Sequence, residues 1–347
     1  MKALVYQGPG QRSWQDVEDP KIQDPGDAIV QVDAVTICGT DLHILQGDVP
    51  AVQPGRILGH EAVGTVRETG PAIGQLRAGQ RVLISCISAC GHCAYCRRAQ
   101  YGQCRGGGGW ILGHRIDGVQ AEFVRVPFAD TSVHPLPDSV SSQDALLFAD
   151  ILPTAYEVGV LNGRVSPGDT VVVVGAGPIG LATILTARLF SPSRIIALDP
   201  AASRRDAAAR HGAHLTLDPG TDDVPARIGE LTEGLGADTA IEAVGRPETF
   251  ELCTQLVRPG GRVANVGVHG RPATLHLEDL WIKNLTLTTG LVDTFSTSTL
   301  LRMLAAGQLP VTELVTHHYA LTDMQEAYDV FERPDRTGAL KVALTAR

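Results

Sequence analysis

A chain of 347 residues is longer than one ordinary hydrophobic core organises, so two domains are expected. Hydrophobic residues make up 44% and charged residues 19%, a globular balance, and no apolar run reaches the length of a membrane span. The net charge of -9 argues against nucleic acid or an anionic membrane as a partner.

In chain order, Met1–Tyr6 reads as a first strand, with no apolar run long enough for a secretory leader. Ala28–Val35, Ala62–Val66, Arg81–Ile84 and Glu122–Val126 are apolar or alternating runs of strand length, separated by Gly- and Pro-bearing turns. They predict an all-β, partly closed barrel. The run Gly106–Gly109 reads as a flexible turn, and Ser141–Leu161 as one helical stretch. After Pro167-Gly168-Asp169 comes the buried strand Thr170–Val174, and then strands and helices alternate as far as Val266. That succession predicts a parallel, doubly wound sheet. From about Leu291, helical stretches and a last strand near Ala339–Leu344 are expected to rejoin the first domain. The predicted division is therefore 1–151 with 291–347, and 152–290.

Cys90, Cys93, Cys96 and Cys104 stand at C-x2-C-x2-C-x7-C, a spacing at which four thiolates close a tetrahedron on a structural zinc ion. A redox dithiol is the weaker alternative. Four of the seven cysteines lie in this short lobe of a chain with no export signal, so reduced thiols and a cytoplasmic location are expected. Cys38 and His60 are ligand types of the other kind of zinc site, which keeps one coordination position open. Asp150, at the junction of the two predicted domains, is the expected third ligand, with Glu61 the alternative or a supporting carboxylate.

Val171–Val174 running into Gly175-Ala176-Gly177-Pro178-Ile179-Gly180 has the strand–turn–helix context that a dinucleotide-binding GxGxxG requires. The helix N-terminus there suits a pyrophosphate. Asp199, about twenty residues on, accepts hydrogen bonds from ribose hydroxyls and repels a 2′-phosphate, which favours NAD over NADP. Arg204, one helical turn further on, is a group that suits a phosphate instead. Val244-Gly245 and Val266-Gly267 end later strands, where such sheets bind their ligand.

Taken together, Cys38-Gly-Thr40-Asp-Leu-His43, Gly59-His60-Glu61, the four-cysteine lobe and the glycine motif resemble the zinc-dependent medium-chain alcohol dehydrogenases, over essentially the whole chain. The stretch from Gly109-Trp110 to Asp117-Gly118, with Asp150–Thr154, is similar to their tetrameric bacterial secondary-alcohol branch. The resemblance implies a GroES-like β-barrel domain, a Rossmann domain, two zinc ions per chain, NAD, and a homotetramer with a dimer as the alternative. It implies Cys38, His60 and Asp150 as catalytic zinc ligands, with Glu61 close by, and Arg204 as a ribose contact. Thr40 is expected to take the alcohol proton and His43 to pass it to solvent. Ile87, Trp110 and Leu291 are placed by the resemblance around a substrate pocket suited to a small secondary alcohol or its ketone. A polyol or amino-alcohol dehydrogenase of the same fold is the alternative; a non-enzymatic dinucleotide binder would lack this ligand set. One departure is Gly39, where some members carry a basic residue that grips the pyrophosphate, and Lys341 is the candidate replacement.

Overall fold

The computed structural model describes residues 1–346. Its contacts divide the chain into two units, Met1–Pro153 with Val292–Arg347, and Thr154–Leu291.

In the first unit, β1 (Lys2–Gly8) and β2 (Gln11–Asp16) form an antiparallel pair. A seven-stranded sheet holds β3 (Ala28–Thr36), β4 (Ala62–Thr69), β5 (Arg81–Ile84), β6 (Phe123–Val126) and β7 (Val133–Pro135). The second unit carries β8 (Thr170–Val174), β9 (Arg194–Leu198), β10 (Leu215–Leu217), β11 (Ala237–Glu242), β12 (Val257–Asn265) and β13 (Thr286–Thr289). The chain then returns to the seven-stranded sheet with β14 (Val315–Ala320) and β15 (Lys341–Thr345).

Two pairings in the first unit matter most for function. β3 and β4 are antiparallel, with Val35 opposite Ala62, so the residues just after β3 and just before β4 fall side by side. Those residues include Cys38 and His60. On its other edge β3 pairs with β15, Ala343 opposite Thr36, which brings the C-terminal strand to the same end of the sheet. The core beneath is apolar and closed: Val30, Val32, Val35, Ile37, Leu58, Ala62 and Val66 pack in one buried cluster.

The second unit is a parallel six-stranded sheet in the order β10-β9-β8-β11-β12-β13, the doubly wound arrangement that the alternating pattern predicts. β8 is central, and Val171, Val172 and Val173 are fully buried. Each contributes about 1.5–3 kcal/mol of burial free energy, which explains why this strand is an unbroken apolar run.

Three features differ from the sequence reading. The segment after Cys38, which in the sequence reads as a single turn following a strand, is a helix, Gly39–Gln46. Cys38 caps it in extended conformation, Asp41 completes a capping box on the Cys38 backbone, and Gly47 ends it in the left-handed region at φ 85°. The predicted helix over 141–161 is broken into Ser142–Leu146, Ile151–Thr154 and a wide turn of helix over Ala155–Leu161. Pro153 lacks the N–H that a helix would offer the Ala149 carbonyl, and the Cys86 N–H donates to that carbonyl instead at 3.0 Å. The Gly106–Gly109 turn is a close-packing device rather than a flexible one. A Cβ at Gly106 would lie 2.5 Å from Cys90 Sγ, and one at Gly108 would lie 2.2 Å from the Ser88 carbonyl.

Strands β2, β13 and β14 carry no apolar alternation and are absent from the sequence reading, since each leaves one face half-exposed or exposed. Ile196→Ala, at a fully buried position of β9, is expected to destabilise the chain by about 2–5 kcal/mol, read as a lower denaturant midpoint. An unchanged midpoint would contradict the core described above.

Candidate active site

The four-cysteine lobe gathers its sulfurs within 4.8 Å of one another. Cys90 Sγ and Cys96 Sγ are 3.8 Å apart, the edge length of a tetrahedron with Zn–S bonds of about 2.3 Å. Backbone N–H groups point at the sulfurs: Cys96 and Arg105 donate to Cys93 Sγ at 3.5 Å, and Cys90 to Cys104 Sγ at 3.4 Å. The two donors lower the Cys93 thiol to about 6, whereas burial pushes Cys96 up to about 12. The donor chemistry and spacing fit a closed structural zinc site with no position for substrate.

A second group comprises Cys38, His60, Glu61 and Asp150, again with donor atoms within 4.8 Å. Cys38 Sγ lies 3.6 Å from Asp150 Oδ2, and His60 Nε2 lies 3.4 Å from that same oxygen. Ligands on a tetrahedral zinc stand about 3.3–3.8 Å apart, so this trio also fits the ion. Glu61 is differently held. Lys341 Nζ donates to both of its carboxylate oxygens at 2.7 Å, and to the Ile37 carbonyl at 3.0 Å. Burial raises the Glu61 carboxyl against the pull of that ammonium. Burial lowers Lys341, but the charge and hydrogen bonds of Glu61, together with the Cys38 and Asp150 charges, outweigh it and hold the ammonium above its ordinary range.

Behind the ligands, Asp41 is fully buried and its Oδ2 accepts the Cys38 N–H and the Gln120 amide, each at 3.0 Å. Its Oδ1 faces His60 Nδ1 at 3.8 Å. Burial pushes the Asp41 carboxyl up. With its Nδ1 turned toward a carboxylate, His60 presents Nε2 to the metal position.

In the second unit the glycine motif follows β8 as expected. Gly175 has φ 95° in the left-handed region, and a Cβ at Gly180 would lie 1.8 Å from the Gly175 carbonyl, so the helix Pro178–Ala187 starts hard against the turn. Gly177 caps that helix and has nothing within 4 Å of a would-be Cβ, leaving space above the N-terminus of the helix. Pro178 and Ile179 form its first turn. Asp199 is buried at the end of β9; its Oδ2 accepts the Ala176 N–H and its Oδ1 the Ala201 N–H, both at 2.9 Å. Arg204 Nη1 stands 3.9 Å from Asp199 Oδ2. Val244 and Gly245 hang from buried Glu242, whose Oε1 accepts both N–H groups at 2.9 Å, while the Val266 N–H donates to the Glu242 carbonyl.

Residues 24–138 match the alcohol dehydrogenase GroES-like domain, and residues 178–306 match the zinc-binding dehydrogenase domain. An alcohol dehydrogenase of Cupriavidus necator is 36% identical over 99% of this chain and 98% of its own length. The chain belongs to the zinc-dependent medium-chain alcohol dehydrogenase family. A solved zinc-dependent alcohol dehydrogenase from Streptococcus pneumoniae is 44% identical, with a TM-score of 0.95 over 100% of this chain and 98% of that one. The alcohol dehydrogenase TADH from Thermus sp. ATN1 is 38% identical, with a TM-score of 0.92 and full coverage of both chains. Similar solved chains include one bound to NADP and one complexed with NADH. The protein is an oxidoreductase acting on alcohols, with a GroES-like domain and a Rossmann domain.

Within this dehydrogenase, Lys341 departs from the pyrophosphate contact suggested for it. It is 2% exposed, and Glu61 and Ile37 occupy all three of its ammonium donors. Thr40 Oγ1 lies 3.6 Å from Cys38 Sγ, and His43, three residues along the same helix, holds Asp48 Oδ2 at 2.9 Å with its Nδ1. Ile87 is buried, and half-buried Trp110 sets its ring 6.3 Å from His60 while stacking on His114 at 4.3 Å. Leu291 is the last residue of the other unit and is exposed.

Asp41, Gln120 and the Asp48 partner of His43 are absent from the sequence reading. The first had a signal, since Cys38-x-x-Asp41 is the spacing of a capping box.

Lys341→Met leaves the Glu61 carboxylate buried without its partner, and is expected to cost about 3–5 kcal/mol. Adding Glu61→Gln should recover most of that loss. Two thermal melts check this, and a Lys341→Met chain as stable as the parent would contradict the ion pair's role.

Proposed function

We propose that Cys38, His60 and Asp150 hold the catalytic zinc of an NAD-dependent secondary-alcohol dehydrogenase. The observation that carries this reading is the approach of Cys38 Sγ and His60 Nε2 to one Asp150 oxygen, at 3.6 and 3.4 Å, while Lys341 holds both oxygens of the neighbouring Glu61. Zinc supplies Lewis-acid polarisation of the alcohol oxygen, and the nicotinamide supplies the hydride acceptor. Thr40 takes up the alcohol proton at Oγ1, and His43, partly exposed on the same helical face, returns it to solvent, oriented by Asp48. Ile87 and Trp110 give the site apolar walls. Such walls accommodate alkyl chains on both sides of a carbinol carbon but discriminate poorly among chain lengths.

Asp199 supports NAD as the cofactor, because its buried carboxylate leaves no welcome for a 2′-phosphate. Arg204 balances that charge from 3.9 Å. Gly175, Gly177 and Gly180 seat the pyrophosphate, and Val244 and Val266 border the adenine and nicotinamide halves.

A homotetramer working in the cytoplasm completes the proposal. Leu277, Trp281 and Ile282 are exposed beside edge strand β13, an apolar surface suited to a second copy. No helix among the described residues is long and apolar enough to cross a membrane. Light scattering at four times the chain mass is the expected result, and a monomer would remove the tetramer.

Absorbance at 340 nm tests the chemistry, with NAD or NADP against 2-butanol, 1-butanol, benzyl alcohol, sorbitol and threonine. Signal with NAD and 2-butanol is expected. Turnover confined to sorbitol or threonine would replace the substrate class while sparing the metal assignment. Thr40→Val should lose most turnover, about a hundredfold or more, and keep its zinc content and NAD binding. Full activity in that variant would take Thr40 out of the proton path.

A further inference from the structure

We propose that Tyr328, on the C-terminal helix Met324–Phe331, is a positioning residue for the catalytic metal, acting through Gln120 and Asp41 on both Cys38 and His60. The juxtaposition is a single buried chain of hydrogen bonds. Tyr328 Oη donates to Gln120 Oε1 at 2.8 Å, Gln120 Nε2 donates to Asp41 Oδ2 at 3.0 Å, and the same oxygen accepts the Cys38 N–H at 3.0 Å. The other oxygen of Asp41 faces His60 Nδ1 at 3.8 Å, and neither atom has another partner among the described residues.

The direction of this chain follows from its inner end. Asp41 Oδ2 already accepts a backbone N–H, so Gln120 must present its amine there and not its carbonyl. That orientation turns Oε1 outward, and only a donor can satisfy it. Tyr328 is a permanent donor, because burial and then the Asp41 charge hold its phenol well above the usual tyrosine range. Tyrosine therefore fixes the amide, and the amide fixes the carboxylate that orients a sulfur ligand through its backbone and an imidazole through its ring.

Each link is also rigid. Gln120 is fully buried, and its backbone is pinned on two sides: its N–H donates to the Leu58 carbonyl at 2.9 Å, and its carbonyl accepts the Leu4 N–H at 2.8 Å. Tyr328 is fully buried beneath Arg12, whose guanidinium lies 4.7 Å above the ring and grips Asp329 on the same helix and Glu332 at its C-cap, at 2.8 and 2.7 Å. A surface ion cluster thereby clamps the outer end of a chain whose inner end is the metal site.

The proposal rests on Cys38, His60 and Asp150 as the ligands, and the experiment separates the two claims. Zinc-loaded enzyme is mixed with a chromogenic chelator and release is followed in time, with a slow phase expected from the four-cysteine lobe. In parallel, cobalt exchanged into the catalytic position reports ligand geometry through its visible bands. Tyr328→Phe removes one oxygen, and Tyr328→Phe with Gln120→Leu removes both polar partners, which leaves no orphaned hydrogen-bonding group between them while Asp41 Oδ2 keeps the Cys38 N–H. The expected result in both is catalytic zinc lost about 10-fold faster or more, with altered cobalt bands and an unchanged lobe phase.

Parent-like release and parent-like cobalt bands in the double variant would overturn the proposal, because they would reduce the chain to ordinary core satisfaction. Should the single variant fail to fold, the double variant decides alone. Cys38→Ala serves as the control. If it retains both zinc ions, the ligand assignment itself fails and takes the proposal with it. If it loses one ion while the tyrosine variants behave like the parent, only the role of Tyr328 falls.

Discussion

Negative charge crowded into a buried space is the constraint around which the first unit is built. Cys38, Glu61 and Asp150 surround one point, with Asp41 directly behind, and Asp41 and Glu61 are fully buried. Burial disfavours each ionised form and the groups repel one another. Two countercharges make the arrangement tenable: the dication that the site fits, and the Lys341 ammonium, seated on Glu61 at 2.7 Å. The pairing of β15 with β3 delivers that lysine, so the route of the C-terminal strand is part of the active site's electrostatics. The same pairing carries the helix that contains Tyr328 back to the sheet.

What was readable in the sequence is what depends on neighbours along the chain. The glycine motif, the four cysteines and the apolar strands all encode their geometry within a few residues, and the structure places them as the spacing implies. Cys38 and His60 were identifiable as ligand types, but their meeting depends on the antiparallel register of β3 with β4. Asp150 came from its position at a change of chain rhythm. The structural reason is more local: Pro153 frees the Ala149 carbonyl for Cys86 and holds the segment against the end of β5.

The unreadable part is long-range polar pairing. Gln120 sits in a stretch that could face solvent, Tyr328 in an amphipathic helix where it reads as plain core, and Lys341 in a strand where a lysine ordinarily marks an exposed edge. Each acquires its role from a partner hundreds of residues away, and no local pattern records such a partner. The misreading of Gly106–Gly109 has the same origin. Four glycines look mobile in isolation, yet two of them are required because Cys90 and the Ser88 carbonyl come so close.

The sequence separations themselves have a temporal consequence. The four-cysteine lobe closes between Cys90 and Cys104, only 14 positions apart, so its donor set is complete once that loop has been synthesised. The catalytic site is different: Glu61 waits for a lysine 280 positions later, and Gln120 for a tyrosine 208 positions later. A growing chain therefore completes the four-cysteine set early. It must translate the whole dinucleotide-binding unit before the second site can be neutralised and oriented. The order of the chain thus separates the two donor sets, one complete within a short loop and the other supported only once the last strand is in place.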